Sequence, residues 1–277
     1  CMPLKSPEEI NQRLDIVESF IQHETERLEL EQLLRIIGDL ERLASKIAVC
    51  RISPREMVQL KVALQTLIPL KKHCRNINNP QLTQWIEQLN ECEALHQKIA
   101  QQIQEEAPAQ LNKGNVIAPG VNAELDELRE ISSHGKELLL QMQQREIEKT
   151  GIPSLKIGFN NVYGYYIEVT KTHNSKAPDT WIRKQTLVNA ERYITPELTE
   201  YEEKILGAED RIQELESTIY NELLLVASSY IKAIQTNAHI ISRIDALISF
   251  SNVSITNQYH RPEINESYSI DIKAGRH

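Results

Sequence analysis

The feature that most constrains the fold is a repeat of apolar residues that follows Thr195 and Pro196, a typical helix start. The apolar residues recur at alternating intervals of three and four: Leu198, Tyr201, Ile205, Ala208, Ile212, Leu215 and Ile219. A helix with such a heptad stripe needs a partner helix along its length, because the stripe otherwise faces water. The sequence therefore predicts a long pair of helices.

The predicted partner helix occupies residues 122–149 and runs antiparallel to the first. Asn122 is its predicted N-cap, and Gly151 is its predicted C-cap. Its predicted apolar face consists of Leu125, Leu128, Ile131, Leu138 and Met142. We expect the returning helix to continue to about Ser251.

The residues before this pair predict a bundle of antiparallel helices. The patterns SPEE at 6–9 and SPRE at 53–56 predict helix starts with capping boxes. Pro69 is predicted to end the second of these helices. Another helix is predicted from Pro80 to about Glu106, with an apolar stripe formed by Leu82, Ile86, Leu89, Leu95 and Ile99.

One stretch, LKIGFNNVYGYYIEVTK at 155–171, differs from the helical remainder. Its apolar residues alternate, which is typical of strands, and Asn160 begins a predicted turn. The fold class is therefore predicted as mainly α, with a helical bundle, a long antiparallel two-helix stalk and a small mixed β domain inserted at its tip.

The charge of the chain is unevenly distributed. The formal net charge is −8, but residues 154–193 contain six Lys or Arg against three Asp or Glu, a local charge of +3. A basic surface within an acidic chain suggests a polyanionic ligand.

Composition excludes several other classes of protein. No apolar run approaches the length of a membrane span, and we expect no secretory leader. The chain begins with Cys1, so we expect a piece of a longer protein. Cysteines without CxxC spacing indicate reduced thiols, and the KKHC pattern at 71–74 favours one buried cysteine over a metal site. His173 and Asp179 have no nucleophile near them, so we predict no catalytic and no metal-binding residues.

Several motifs in order carry a resemblance to a known family. These are GDLERL at 38–43, ISPREMVQLKVAL at 52–64, GVNAELDELRE at 120–130, SLKIGFNNVYGYYIEV at 154–169, WIRKQTLVNAERYITPELTEYEEKIL at 181–206 and AGRH at 274–277. Together they resemble the MutS family of DNA mismatch-repair proteins over nearly the whole chain.

The resemblance implies a division into parts. It implies a helical core at 1–120, an outgoing lever helix at 121–153, a β clamp domain at 154–194 and a returning lever helix and core at 195–252. Residues 253–277 are then a connector toward an ATPase domain. In the family, the clamp grips duplex DNA through its backbone.

The resemblance also implies what these residues do not do. The chain contains no GxxxxGK[ST] sequence and no Phe-x-Glu, the family's mismatch reader. We therefore expect no enzyme activity and no cofactor in this stretch; ATP and Mg belong to the full-length protein, an expected DNA-dependent ATPase. Implied partners are double-stranded DNA, a second copy of the full-length protein and a MutL-like repair protein. The implied location is the bacterial cytoplasm, with association with the nucleoid and no membrane.

By resemblance, four residues fall at clamp positions that face phosphates: Asn160, Arg183, Lys184 and Asn189. Lys171 and Lys176, in a predicted loop between strands, are expected to add charge. Such side chains neutralise phosphates or donate to them without reading bases. Val188 departs from the family, whose members often carry a basic residue there. We expect Tyr163, Tyr165, Tyr166 and Trp181 to form the core of the sheet rather than to stack on bases.

A second hypothesis, from another class, remains open. The chain is then an architectural coiled-coil arm whose tip binds a protein partner. The heptads fit both hypotheses equally well, whereas the basic stretch fits this one less well. Salt dependence separates the two, since phosphate neutralisation weakens binding steeply as salt rises.

Overall fold

The structure, a computed structural model, describes residues 4–160, 162, 164–267, 269–273 and 275. The chain is mainly α-helical with one small β-sheet, as the sequence predicts. It divides into two compact units, the first formed by the residues up to Ala109 and those from Glu222 onward, the second by Gln110–Asn221. The division into lever and clamp parts remains a prediction. No helix in the described part of the chain is long and apolar enough to cross a membrane.

The helices, in chain order, are α1 Pro7–Gln22, α2 Glu24–Ile37, α3 Leu40–Ala48, α4 Pro54–Asn76, α5 Pro80–Ile86, α6 Glu93–Gln102, α7 Ala123–Thr150, α8 Pro196–Ser229 and α9 Ile231–Asn257. In the first unit, α2 packs on α4, and α9 packs on α1 and α3. Their largest fully buried side chains include Ile16, Phe20, Leu30, Leu60 and Leu64.

The predicted caps begin these helices. Ser53 Oγ accepts a bond from the Glu56 amide at 3.3 Å, and the Glu56 carboxylate accepts one from the Ser53 amide at 3.1 Å, so this capping box is complete. At Ser6 the side chain accepts the Glu9 amide at 3.5 Å, but among the described residues no bond returns from the Ser6 amide to Glu9, so the capping box predicted there is incomplete. Asn122 and Thr195 cap α7 and α8 in the same way.

Pro69 lies inside α4, so the predicted end of that helix is wrong. A proline inside a helix costs about 3 kcal/mol, because it removes a backbone bond and crowds the preceding turn. Leu67 and Leu70 beside it are fully buried, and burying one such side chain contributes about 1.5–3 kcal/mol. Packing on both sides of Pro69 therefore maintains the helix.

The single helix predicted from Pro80 to Glu106 is also wrong, because α5 and α6 are separate. Cys92 begins α6 in a left-handed conformation with φ 48°, and Asn90 Oδ1 accepts its amide at 2.8 Å. Asn237 of α9, fully buried, accepts the Asn90 amide at 2.9 Å and donates to the Asn90 carbonyl at 2.7 Å. A distant side chain thus replaces the helical bonds at this break. The predicted apolar stripe nevertheless stays buried.

The returning helix is interrupted at Tyr230 and ends beyond Ser251, so that prediction is wrong in both respects. The Tyr230 amide donates to the Ala227 carbonyl and closes a tight four-residue turn. The Ser228 and Ser229 hydroxyls donate to carbonyls of the preceding turn. Such serine bonds compete with the helical ladder and favour a bend.

The second unit contains the predicted antiparallel pair of α7 and the first part of α8. Three ion pairs join the helices, and their residue numbers increase along α7 while they decrease along α8. The pairs are Arg129–Glu216 at 2.5 Å, Lys136–Glu209 at 2.7 Å and Arg145–Glu197 at 2.6 Å. The heptad stripe of α8 faces this partner, with Leu198, Ile205 and Ala208 buried. The prediction of a partner running the other way is confirmed.

The buried face of α7 differs in part from the prediction. Ile131 is 43% exposed and Leu138 is only half-buried, whereas Leu139 is buried. Small residues occupy this face as well, at Ser132 and Gly135. A Cβ atom at Gly135 would lie 2.5 Å from Ile205 Cγ1. The two helices approach closely here, and only a residue without a side chain fits.

The sheet has four strands, β1 Lys156–Asn160, β2 Gly164–Thr170, β3 Ile182–Thr186 and β4 Ala190–Ile194, in the order β1-β2-β4-β3. All three ladders are antiparallel, so the predicted mixed sheet is wrong. Parallel pairing needs a long crossover, whereas here a 3-10 segment, Lys171–Lys176, joins β2 to the stretch before β3.

One face of the sheet packs against α7 and α8. The buried residues of this cluster are Leu139, Met142, Ile152, Leu155, Ile167, Val169, Trp181, Tyr193, Leu198 and Ile205. The rings of Trp181 and Tyr193 are 5.7 Å apart. The expectation that Trp181 forms core is confirmed, while Tyr165 and Tyr166 are half-buried and Tyr163 lies outside the described residues.

Cys74 is fully buried in the last turn of α4, which agrees with its interpretation as a buried thiol. Burial raises the pKa of this thiol to about 12. Cys50 and Cys92 are also free thiols, and Cys1 lies outside the described residues.

Replacing Glu56 tests the electrostatics of the first unit. Burial alone raises the pKa of Glu56, but bonds from Lys46, Ser53 and Arg42 outweigh it and lower this pKa to about 2 from 4.5. We expect Glu56→Gln to lower the free energy of unfolding by about 2 kcal/mol at pH 7. A lowered carboxyl pKa stabilises the fold above the unfolded value, so the difference should shrink as pH falls from 5 toward 2.

The measurement is urea unfolding followed by Trp85, the first unit's own tryptophan, in a Trp181→Phe background. If the loss of stability caused by Glu56→Gln stays constant or grows as pH falls, the stabilising role of the ionised Glu56 carboxylate is contradicted.

Replacing Gly135 tests the close approach of α7 and α8. Alanine is favoured over glycine in helices by about 1 kcal/mol, but the clash with Ile205 is expected to cost about 1–3 kcal/mol. Gly135→Ala should therefore lower the stability of the second unit. Gly207→Ala is the matched control, because a Cβ there meets nothing within 4 Å, and it should raise stability. Urea unfolding followed by Trp181 in a Trp85→Phe background measures both; a stabilising Gly135→Ala contradicts close packing.

Candidate nucleic-acid interface

The predicted contact residues lie at three places on the sheet, which are its two ends and the edge strand β3. Asn160 is at the β1–β2 end, paired in register with Gly164. Lys171 and Asn189 are at the opposite end, after β2 and before β4. The span of β2 between these ends is about 20 Å, at about 3.3 Å per residue. The structure therefore does not bring Asn160 together with the residues of the other end.

The end formed by residues 170–176 and 187–190 is here called the basic end. The Leu187 amide donates to the Ala190 carbonyl at 2.8 Å and closes a tight turn with Val188 and Asn189 exposed at its tip. The Lys171 amide donates to the Asn189 carbonyl at 3.0 Å. The 3-10 segment and the β3–β4 turn are thus held side by side.

The lysines of the basic end are exposed cations. Lys176 Nζ donates to the Gly151 carbonyl at 3.2 Å, a contact that does not neutralise its charge. Lys171 forms no ion pair within the described part of the chain. Both remain available to an anionic ligand.

The side chain of Asn160 is oriented by its own hairpin. Its Oδ1 accepts the Val162 amide at 2.8 Å. With the oxygen engaged, the Nδ2 amide group remains as the donor. This is the group that a phosphate oxygen requires.

Arg183 and Lys184 lie on the edge strand β3, where the register is irregular. Arg183 faces Tyr193 and Gln185 faces Arg192, so Lys184 is the extra residue of a β-bulge. Bulges re-aim side chains and hinder the pairing of a further strand on an open edge. Lys184 is exposed and, among the described residues, contacts no carboxylate.

Arg183 is next to a buried carboxylate. Its Nη1 lies 3.5 Å from Glu191 Oε2, and the Tyr193 hydroxyl donates to the same oxygen at 2.7 Å. The bond from Tyr193 holds the pKa of Glu191 below its usual value. Burial and this same bond raise the pKa of Tyr193 to about 12. Both groups keep their charge states at neutral pH.

Arg192 is engaged on the opposite, outward face of the sheet. Its Nε donates to Glu168 at 2.9 Å, its Nη1 donates to Gln185 at 3.0 Å, and its guanidinium lies 4.1 Å from the centre of the Tyr166 ring. Arg192 is one of the six basic residues counted in the sequence, but Glu168 already balances its charge. Of the six basic residues, four contact no carboxylate in the described part of the chain: Lys156, Lys171, Lys176 and Lys184.

Comparison with known proteins identifies the family. The model of MutS family domain IV matches residues 120–211, which lie in the second unit. The DNA mismatch repair protein MutS of Phocaeicola vulgatus is 57% identical to the chain over 275 residues, which is 99% of this chain and 32% of that protein. Those of Bacteroides fragilis and Parabacteroides distasonis are 55% and 54% identical over the same shares. This chain belongs to the MutS family.

The chain spans about a third of the length of the curated MutS relatives it matches. The match to MutS domain IV includes α7, the whole sheet and the start of α8. It thus contains every candidate contact residue of this MutS-family chain. Their individual roles remain predictions.

Sequence reasoning did not single out Glu191 and Tyr193, of which the first lies beside the candidate residue Arg183 and the second bonds to that carboxylate. The stretch NAERY placed both on β4, two residues apart, and therefore on one face of the strand. That spacing was a usable signal. The position of Arg183 opposite them was not, because it depends on the bulge at Lys184.

Proposed function

We propose that this MutS-family region grips duplex DNA through its phosphates and does not read bases. The observation that supports this most is the group of exposed lysines at the basic end and on β3, which have no carboxylate partner among the described residues and lie beside the exposed amide of Asn189. These are the side-chain types that contact phosphates. The overall charge of −8 disfavours nonspecific attraction elsewhere on the chain.

Trp181 and Tyr166 are not available for base recognition. Trp181 is buried against Tyr193, and Tyr166 is covered by Arg192. Stacking needs an exposed ring face and an unpaired base, and an intact duplex offers no such base. Phosphate contacts therefore carry the binding.

The two ends of the sheet contact separate phosphates in this proposal. Asn160 and Asn189 lie at opposite ends of strands about 20 Å long. The Nδ2 group of Asn160 donates to one phosphate, while Lys171, Lys176 and Asn189 contact others. Contacts spread in this way hold the duplex by its shape and charge.

We propose further that α7 and α8 form a lever, with the sheet as a clamp linked through it to an ATPase domain. Support comes from the MutS relatives, which are named as DNA mismatch repair proteins, and from the antiparallel ion pairs of α7 and α8. ATP and Mg binding, assembly into a homodimer around DNA and contact with a MutL-like partner are proposed for the full-length protein. The proposed location is the bacterial cytoplasm, at the nucleoid.

A protein-binding coiled-coil arm is the second candidate. Exposed apolar residues on and beside β3 favour it, since Val188 is 85% and Ile182 is 55% exposed. An apolar contact of this kind would be insensitive to salt, or strengthened by it. Phosphate binding weakens steeply with salt, so one titration separates the candidates.

Neutralising the edge-strand cations tests the clamp. We expect Arg183→Gln with Lys184→Gln to weaken DNA binding and to reduce the slope of log K against log salt by about 1.8, the value for two phosphate contacts. Matched and mismatched duplexes should behave alike. Glutamine is preferable to glutamate, because a carboxylate at residue 183 would repel Glu191. Fluorescence anisotropy of a labelled duplex across a salt series measures the effect.

The matched control is Arg55→Gln with Lys72→Gln, which removes the same charges from exposed positions of the first unit. An equal loss in both double variants, or binding that ignores salt, contradicts a phosphate-gripping clamp.

Adding a cation at Val188 tests the basic end. This exposed residue lies beside Asn189 at the tip of the β3–β4 turn. We expect Val188→Lys to tighten DNA binding about threefold near 0.1 M salt and to steepen the salt slope by about 0.9, since one phosphate contact is added. Val49→Lys, an exposed valine of the first unit, is the control. The same anisotropy titration applies, and equal gains from both lysines speak against a contact at this end.

A further inference from the structure

Glu191 is an acidic residue in a place proposed to bind anions. Its side chain is buried on β4, with the residue only 8% exposed, and it lies beside Arg183. A carboxylate so close to a phosphate contact repels the ligand. Its presence there therefore requires a compensating role.

The position of the Glu191 carboxylate is determined by the core. Oε2 accepts the Tyr193 hydroxyl at 2.7 Å, and the Tyr193 ring packs on Trp181. The Tyr193 hydroxyl also lies 3.5 Å from Asn174 Oδ1, in the 3-10 segment of the basic end. A rigid, buried aromatic residue thus holds one carboxylate oxygen in place.

That same oxygen faces the guanidinium of Arg183. The separation is 3.5 Å, and the Arg183 side chain is 62% exposed on the open edge of the sheet. A guanidinium carries five N–H donors in a rigid plane, so one contact with Glu191 leaves the others free. An exposed arginine otherwise samples many rotamers and loses that freedom when it binds.

We propose that Glu191 is a positioning residue, whose carboxylate holds the Arg183 guanidinium at the β3 edge with its remaining donors directed to a DNA phosphate. This inference rests on the proposed function. It assigns separate roles to these residues. Arg183 contacts the phosphate, and Glu191 together with Tyr193 sets the geometry of that contact.

The direction in which Glu191→Gln changes DNA affinity tests the proposal. Glu191→Gln removes one negative charge from the chain, so simple electrostatics predicts tighter DNA binding. Positioning predicts the opposite: affinity should fall about threefold, and the salt slope should move toward that of Arg183→Gln. Asp179→Asn is the matched control, with the same charge change at an exposed position between β2 and β3, and it should tighten binding slightly.

A second comparison establishes whether Glu191 acts through Arg183. In an Arg183→Gln background, Glu191→Gln should no longer weaken binding, since there is no guanidinium left to position. Tyr193→Phe removes the hydroxyl without changing the charge and should weaken binding less than Glu191→Gln. The DNA affinity of Tyr193→Phe therefore tests the same positioning role if Glu191→Gln disturbs strand β4. Trp181 fluorescence and the thermal midpoint report whether each variant is folded.

The outcomes separate the inference from the function. If the unmodified 277-residue chain fails to bind duplex at low salt, or if Arg183→Gln has no effect, the proposed function fails and the inference with it. If Arg183→Gln weakens binding but Glu191→Gln tightens it as Asp179→Asn does, the clamp stands and the positioning role is overturned. An equal loss from Glu191→Gln with and without Arg183 also overturns it.

Discussion

The close contact between Gly135 of α7 and Ile205 of α8 is the constraint on which the second unit depends. No side chain fits at residue 135, because a Cβ atom would meet Ile205 at 2.5 Å. Around this contact, ion pairs join the two antiparallel helices. The sheet then packs its apolar face on the same pair, with Leu139, Met142, Leu198 and Ile205 in one cluster with Ile167 and Tyr193.

This packing also determines where the charges of the sheet lie. One face of β2 and β4 is buried against the helices, so the lysines are confined to the ends and to the edge strand. Arg192 is on the outward face, where Glu168, Gln185 and Tyr166 engage it. The bulge at Lys184 gives the edge strand a second exposed cation beside Arg183. A net local charge of +3 thus becomes a small set of free cations at defined places.

The first unit shows how distant contacts override local signals. Pro69 is a strong helix breaker, but the fully buried Leu67 and Leu70 outweigh it. The stripe from Leu82 to Ile99 is continuous in the sequence, and yet Asn237 breaks the helix by satisfying both backbone groups of Asn90. No local pattern contains that information, because the two residues are 147 positions apart.

The sequence by itself determined the mainly helical class, the antiparallel helix pair, the β hairpin at 156–170, the caps at Ser53 and Asn122, and the family. The structural features follow from periodicity, capping and turn residues, which act over a few positions. The family follows from motifs that are visible in the sequence itself. Only the tertiary structure decided the antiparallel pairing of all four strands, the breaks at Asn90 and Tyr230, and the small-residue face of α7. It also decided which cations are free: the charges of Arg183 and Arg192 meet carboxylates on neighbouring strands, and strand register is a property of the packed sheet rather than of any short segment.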